Sequence, residues 1–428
     1  MEIVYASRKD QYIAAFMSEA AFLGKDNDMD IRIKNTRIYT DKEIVKGDLC
    51  ISGNRILAVG STPAGFSPAR EIDGKDLFAV PGLINCHTHS YMSVFRNIAD
   101  DLSFDEWLFG AIMPREDKMT PEDGYEGALI SCREMIESGT TCFMDMHMFP
   151  GMTAKAAKET GMRAVMTRGL TGPDREDAGA KRRLIEHLEE TIQFADTETI
   201  SFRLGPHAIY TCGEDYLRFL IEKAKEVGQG FHIHLSESLK EVEDCQRERG
   251  MSPVEYLDSI GFFEIPTCAA HCVHLSENDM DILAKKNVSV IHNPKSNLKL
   301  ANGIAPIAGL LERGVNVCLG TDSQASNNVL NMYSEMNFAA LLQKGVTGDP
   351  TVLPAKEVIR MATVNGAKAL GIEKLGEIKE EYLADIALLD MGRTNYRPAN
   401  DLEAALVYSS NGTESKYVII NGEVVYEK

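Results

Sequence analysis

Leu77-Phe78-Ala79-Val80-Pro81-Gly82-Leu83-Ile84-Asn85-Cys86-His87-Thr88-His89 reads as an apolar run, a Pro-Gly break and a second apolar run ending on two histidines. Side chains alternate along a strand, so residues two apart face the same side. His87 and His89 at a strand's end can therefore grip one metal ion. Taken alone, the pair also reads as two surface histidines on an edge strand. The rest of the chain separates these readings.

Apolar, strand-like segments recur downstream: Cys142-Phe143-Met144-Asp145, Ala164-Val165-Met166-Thr167, Ser201-Phe202-Arg203-Leu204, Gly230-Phe231-His232-Ile233-His234, Cys268-Ala269-Ala270-His271, Val288-Ser289-Val290-Ile291 and Val315-Asn316-Val317-Cys318-Leu319. With the strand before His87 they make eight. Helical patterns lie between them, such as Glu122 to Ser138 and Tyr216 to Val227. Eight strand–helix units predict a (β/α)8 barrel over residues 81–374, with its chemistry at the strands' C-terminal ends.

Both ends of the chain have a different texture. Ile31-Arg32-Ile33, Ile38-Tyr39, Leu49-Cys50-Ile51 and Ile56-Leu57-Ala58-Val59 read as short strands, with turns at Gly47-Asp48 and Gly53-Asn54. Asp385-Ile386-Ala387-Leu388-Leu389, Tyr417-Val418-Ile419-Ile420 and Glu423-Val424-Val425-Tyr426 match them at the far end, and Asn421-Gly422 is a strong hairpin turn. The expected organisation is a small β-sandwich built from both termini, residues 31–80 and 375–428, around the barrel. Residues 1–30 lack the basic, apolar, small-residue order of a signal peptide and are expected to be a short helix or an extension.

The formal net charge of −19 argues against nucleic-acid and anionic-membrane partners and favours a small-molecule substrate. No apolar run approaches the roughly 20 residues of a membrane span. Nine cysteines, an odd number without a Cys-X-X-Cys pair, fit a reducing cytoplasm better than a disulfide framework.

Further polar residues fall at predicted strand ends. His234 is followed three residues later by Glu237; His271 ends the sixth strand, and Asp322 follows the eighth in Leu319-Gly320-Thr321-Asp322. A lone histidine is more often a core residue, and an Asp after Gly-Thr more often a cap. Six such residues on one rim point to a shared site. His87, His89, His234 and Asp322 can bind one divalent metal, Zn2+ or Fe2+, with a position open to water. Zinc lowers the pKa of such a water to about 7. Glu237 is then free for proton transfer, and His271 to hold the attacking oxygen. His232 shares a face with His234 and is a rival ligand. The fourth strand's end, Leu204-Gly205-Pro206-His207, has no lysine that could be carboxylated to bridge two metals, which favours one metal.

With these motifs the chain resembles the amidohydrolase superfamily, and within it the deaminases of methylthioadenosine and S-adenosylhomocysteine. The resemblance spans about residues 31–428. It rests on Pro81 to His89, Asp101-Leu102-Ser103-Phe104-Asp105-Glu106-Trp107-Leu108, Gly205-Pro206-His207, His234-Leu235-Ser236-Glu237, Ala270-His271-Cys272-Val273-His274, Asn293-Pro294-Lys295-Ser296-Asn297 and Gly320-Thr321-Asp322. It implies His87, His89, His234 and Asp322 as metal ligands and Glu237, His271 and Asp322 as catalytic. By the same resemblance Glu116 binds ribose hydroxyls, and Arg168 and His207 contact the nucleoside. Arg183, with Arg182 and Arg175 competing, meets the amino-acid tail of S-adenosylhomocysteine. Trp107 covers the base or anchors a lid segment, and Glu116 and Arg168 also read as an internal salt bridge. His147, His187 and His292 are read as structural or surface residues.

The expected reaction is hydrolytic deamination of an adenine nucleoside to the matching inosine and ammonia. The rivals are an aminohydrolase of guanine, a pterin, a triazine or another heterocycle, and a non-catalytic metal-stabilised binding protein. Assembly into a homo-oligomer is left open.

Overall fold

The computed structural model describes residues 30–428; the expectation for the N-terminal segment lies outside the described residues. Strands β1 (Ile31–Tyr39), β2 (Ile44–Ser52), β3 (Arg55–Gly60), β4 (Arg70–Asp73) and β5 (Leu77–Pro81) come first. The barrel follows: β6 (Leu83–Thr88), β7 (Thr140–His147), β8 (Arg163–Leu170), β9 (Ile200–Pro206), β10 (Phe231–Leu235), β11 (Thr267–His271), β12 (Ser289–His292) and β13 (Asn316–Leu319). β14 (Ile386–Asp390), β15 (Ser415–Ile420) and β16 (Glu423–Glu427) close the chain.

β6 to β13 lie side by side in chain order, and every pair in the ladder is parallel. Parallel neighbours need crossovers, and helices such as Pro121–Glu137 and Glu214–Val227 supply them. The ring closes between β13 and β6 through side chains as well as backbone. Thr321 N–H donates to Asn85 Oδ1 (3.0 Å), Asn85 Nδ2 to Thr321 Oγ1 (2.7 Å), and Asp322 N–H to His87 O (2.9 Å). Gly320 permits this approach: a Cβ there would sit 2.6 Å from Asn293 Oδ1 and 2.8 Å from the His87 Cβ.

The strands from both termini form a second sheet, ordered β16-β15-β14-β5-β1-β2-β3, with β4 on the first half of β1. It curls back on itself. Arg55 of β3 bridges Leu383 ahead of β14, and Arg70 of β4 pairs with Glu427 of β16. Ile33, Ile38, Leu49, Ile56, Ile386 and Leu388 fill the space between. The Pro81-Gly82 break separates β5, a strand of this sheet, from β6 of the barrel. The buried pair Arg163–Asp385 (3.0 Å) joins the two units.

Two expectations for the N-terminal strands are corrected. Ile31–Ile33 and Ile38–Tyr39 belong to one strand, because a bulge at Asn35 (φ +56°) absorbs the irregularity while its N–H bonds Asp48 Oδ1 (3.0 Å). Gly47-Asp48 is no turn but lies inside β2, where Gly47 packs against the Gly60 carbonyl. The hairpin at Asn421-Gly422 forms as expected, with both residues at positive φ.

Candidate active site

The C-terminal ends of β6, β10 and β11 and the loop after β13 bring six residues together. Main-chain carbonyls fix the roles of the ring nitrogens of His89 and His234. His89 Nδ1–H donates to Met146 O and His234 Nδ1–H to His207 O, both at 2.8 Å. These carbonyls fix the tautomer and leave each Nε2 with a free lone pair. The two Nε2 atoms stand 3.2 Å apart. His87 Nδ1 meets His232 Nε2 (2.8 Å), and its own Nε2 is buried without a hydrogen-bond partner among the described residues, 3.4 Å from Asp322 Oδ1.

Asp322 is oriented by two hydroxyls. Its Oδ2 accepts from Ser296 Oγ (2.5 Å) and Ser326 Oγ (2.7 Å), which turns Oδ1 toward His87 and His89. Glu237 is equally constrained: Oε1 accepts from Asn302 Nδ2 (2.9 Å), and Oε2 lies 3.7 Å from His271 Nε2. His271 Nδ1 is held by Asn297 Oδ1 (2.8 Å). Ser236, His271 and Asp322 all have positive φ, an unfavourable conformation for residues with a Cβ, so the surrounding hydrogen bonds hold the backbone in place.

The electrostatics divide the two carboxylates. Burial, then the charge of Asp322, pushes Glu237 up to about 8. Burial also opposes ionisation of Asp322, but the His87 ring and the charges of His271 and His89 outweigh it and hold this carboxyl well below its ordinary value. Burial lowers His87 to about 4 and His234 well below the usual histidine value, so both are neutral near pH 7. One neutral acid thus faces one carboxylate beside the neutral imidazoles of His87 and His234.

A cavity of about 240 Å³ opens above this cluster, and Glu116, Arg183, His207, Trp107, Tyr210 and Met148 are on its wall. Of the three competing arginines only Arg183 lines it, bonded to Thr171 O (3.2 Å). Arg175 pairs with Asp215 and Arg182 with Glu186. Arg168 does not reach the cavity. Its guanidinium turns to Glu186 and Glu190 on the helix Ala178–Phe194 and bonds Met148 O. The alternative reading of Glu116 and Arg168 as an ion pair is not met among the described residues, and Glu116 bonds the Tyr91 hydroxyl instead. Trp107 both lines the cavity and donates Nε1–H to Ala325 O (3.2 Å), tying the wide helical turn Glu106–Ile112 to the loop after Asp322.

Among models of known families, that of the Amidohydrolase family matches residues 78–425. The chain belongs to the amidohydrolase family. A 5-methylthioadenosine/S-adenosylhomocysteine deaminase of Pelotomaculum thermopropionicum is 46% identical over 388 residues, 89% of each chain. An adenosine deaminase from Xanthomonas campestris, solved with bound zinc, aligns with a TM-score of 0.88 at 31% identity over 92% of each chain. An atrazine chlorohydrolase from Arthrobacter aurescens, also complexed with zinc, aligns with a TM-score of 0.85 at 26% identity over 93% of this chain and 95% of its own.

The donor set of this amidohydrolase suits a divalent cation. Ligand atoms of His87, His89 and His234 lie within 4.8 Å of one another, as do those of His87, His271 and Asp322. Opposed lone pairs on His89 and His234, and an unpartnered nitrogen on His87, leave a buried gap that a cation would fill. His232 stands behind His87 and is bonded to it.

Sequence motifs did not single out several supporting residues. Tyr91, Ser326 and Asn302 reach the site from loops and carry no spacing signal. Ser296 and Asn297 lay inside a quoted motif without an assigned role. His147, expected to be structural or at the surface, lines the cavity edge-on to Tyr91, with ring centroids 4.1 Å apart.

Proposed function

We propose that this chain hydrolyses the 6-amino group of an adenine nucleoside, releasing the inosine product and ammonia. The observation that carries this is one cavity holding a metal-binding cluster that includes a carboxylate, an acid that the cluster leaves free, and a second carboxylate and an arginine farther out. In this reading His87, His89, His234 and Asp322 hold one divalent ion, zinc in preference to iron. The ion, when bound, supplies an acidified water as the nucleophile near neutral pH. Glu237 gives its proton to purine N1, which makes C6 more electrophilic. Asp322 takes one proton of the attacking water and passes it to the departing amine, and the proton left on the C6 hydroxyl returns to Glu237 as the carbonyl forms. His271, held by Asn297, steadies the oxygen on the tetrahedral carbon. Glu116 and His207 face the ribose, Arg183 faces the 5′ substituent, and Trp107 covers the base.

Methylthioadenosine, S-adenosylhomocysteine and adenosine are the candidate substrates, and the name of the Pelotomaculum relative favours the first two. An aminohydrolase of a free heterocycle would need neither Glu116 nor Arg183. All nine cysteines are unpaired and buried, which suits a reducing compartment, and we place the enzyme in the cytoplasm. Among the described residues no helix is long and apolar enough to cross a membrane.

Ammonia release from the three nucleosides, adenine and guanine by zinc-loaded protein tests the assignment. Turnover confined to nucleosides is expected. Turnover of free bases alone, or of nothing by protein that holds its metal, overturns it.

A further inference from the structure

Tyr91 lies two residues beyond His89, in the turn Ser90–Phe95, and its position is unusually constrained. Ser90 N–H donates to Asp145 Oδ1 (2.7 Å), and Ser90 O accepts from Ser131 Oγ (2.6 Å). Tyr91 itself presses on the helix Pro121–Glu137 at Gly127, where a Cβ would stand 2.3 Å from Tyr91 O. Any larger residue at 127 would displace the turn. The ring is buried edge-on against His147, and its hydroxyl donates to Glu116 Oε1.

Glu116 has no other partner for its carboxylate among the described residues, and no cation pairs with it. It ends the turn Met113–Glu116, which continues directly from the wide helical segment Glu106–Ile112, and the Tyr91 hydroxyl is its carboxylate's hydrogen-bond donor. A carboxylate held in one orientation with an oxygen left free is pre-organised to accept from a vicinal diol. The phenol holds the orientation and, by bonding Oε1 alone, leaves Oε2 free. Burial works against the ionised form of Glu116, and the Tyr91 hydrogen bond counters it.

We infer that Tyr91 is a positioning residue for substrate selection: it orients Glu116 so that the enzyme discriminates ribosides carrying both the 2′ and 3′ hydroxyls from those lacking them. The inference rests on the proposed nucleoside deamination. Its substrates differ only in the diol, so the two can fail separately.

Zinc-loaded full-length parent, Tyr91→Phe, Glu116→Ala and the double variant are assayed on adenosine and 2′,3′-dideoxyadenosine. The parent should prefer adenosine. Tyr91→Phe should narrow that preference about tenfold, through KM for adenosine, as expected for one lost bond to a charged group. In the Glu116→Ala background the same change should narrow nothing further. Equal losses on both nucleosides, an unchanged preference, or additive effects in the double variant overturn the role of Tyr91 while deamination stands. A metal-loaded parent that turns over neither nucleoside overturns both. If Tyr91→Phe fails to fold, Glu116→Gln serves: a parent without a diol preference, or one that Glu116→Gln leaves intact, also overturns the role.

Discussion

His89 Nε2 and His234 Nε2 face each other at 3.2 Å while the opposite nitrogen of each ring gives its proton to a main-chain carbonyl. Two lone pairs this close repel unless a cation lies between them. The fold therefore stores an unfavourable contact that binding a cation relieves. Removing the metal should lower thermal stability, by about 4 kcal/mol where free metal had stood roughly a thousandfold above its Kd. His234→Ala should abolish most of that gain. Elemental analysis should find one metal per parent chain and far less in the variant; equal metal content would sink the ligand assignment.

Glu237 is the proposed acid and makes no demand on the metal. Glu237→Gln should therefore keep its metal and lose kcat by about 100-fold or more. Loss of metal along with activity would instead make Glu237 part of the ligand set.

Arg183 is the one arginine of its segment on the cavity wall. Arg183→Ala should reduce kcat/KM for S-adenosylhomocysteine about tenfold relative to methylthioadenosine, which has no carboxylate for it to meet. Parallel progress curves on the two substrates decide this, and an unchanged ratio would remove Arg183 from tail recognition.

Glu335, fully buried beside Asn327 and Lys295, gives a pH dependence of folding. Burial pushes it up to about 7. The folded chain thus holds a proton that the unfolded chain has already released, so stability falls with pH between the ordinary glutamate value and about 7. Its contribution is complete below that window and lost above it. Glu335→Gln keeps an acceptor for Asn327 without the titration. Between pH 5 and pH 8 its melting temperature should fall less than that of the parent. Parallel pH curves for parent and variant would contradict this origin.

Much of this was legible because strand alternation is a strict rule. It carried His87, His89, His234 and His271 to one rim, and Gly320-Thr321-Asp322 joined them by closing the ring. The hairpin at Asn421-Gly422 was legible for a similar local reason. Gly47-Asp48 misled because glycine serves close strand packing as well as turns, and only the presence of Gly60 opposite decides which. Arg168 read from sequence as a nucleoside contact, and Arg183 could not be separated from Arg182 and Arg175. Both outcomes depend on how the helix Ala178–Phe194 is rotated: its Glu186 and Glu190 capture Arg168, Glu186 also takes Arg182, and Arg183 is turned to the cavity and Thr171 O. Tyr91, Ser326 and Asn302 act across loops, where no periodicity reports direction.

The pairing of β5 with β14 has a consequence for biosynthesis. Ala79 meets Leu388, a partner translated roughly three hundred residues later. As the ribosome works, β5 waits with an open edge while the barrel beyond it is still being made. The sheet seals only when the last strands emerge, so a nascent chain that stalls before β14 carries an exposed, apolar strand edge of the kind that quality-control machinery recognises.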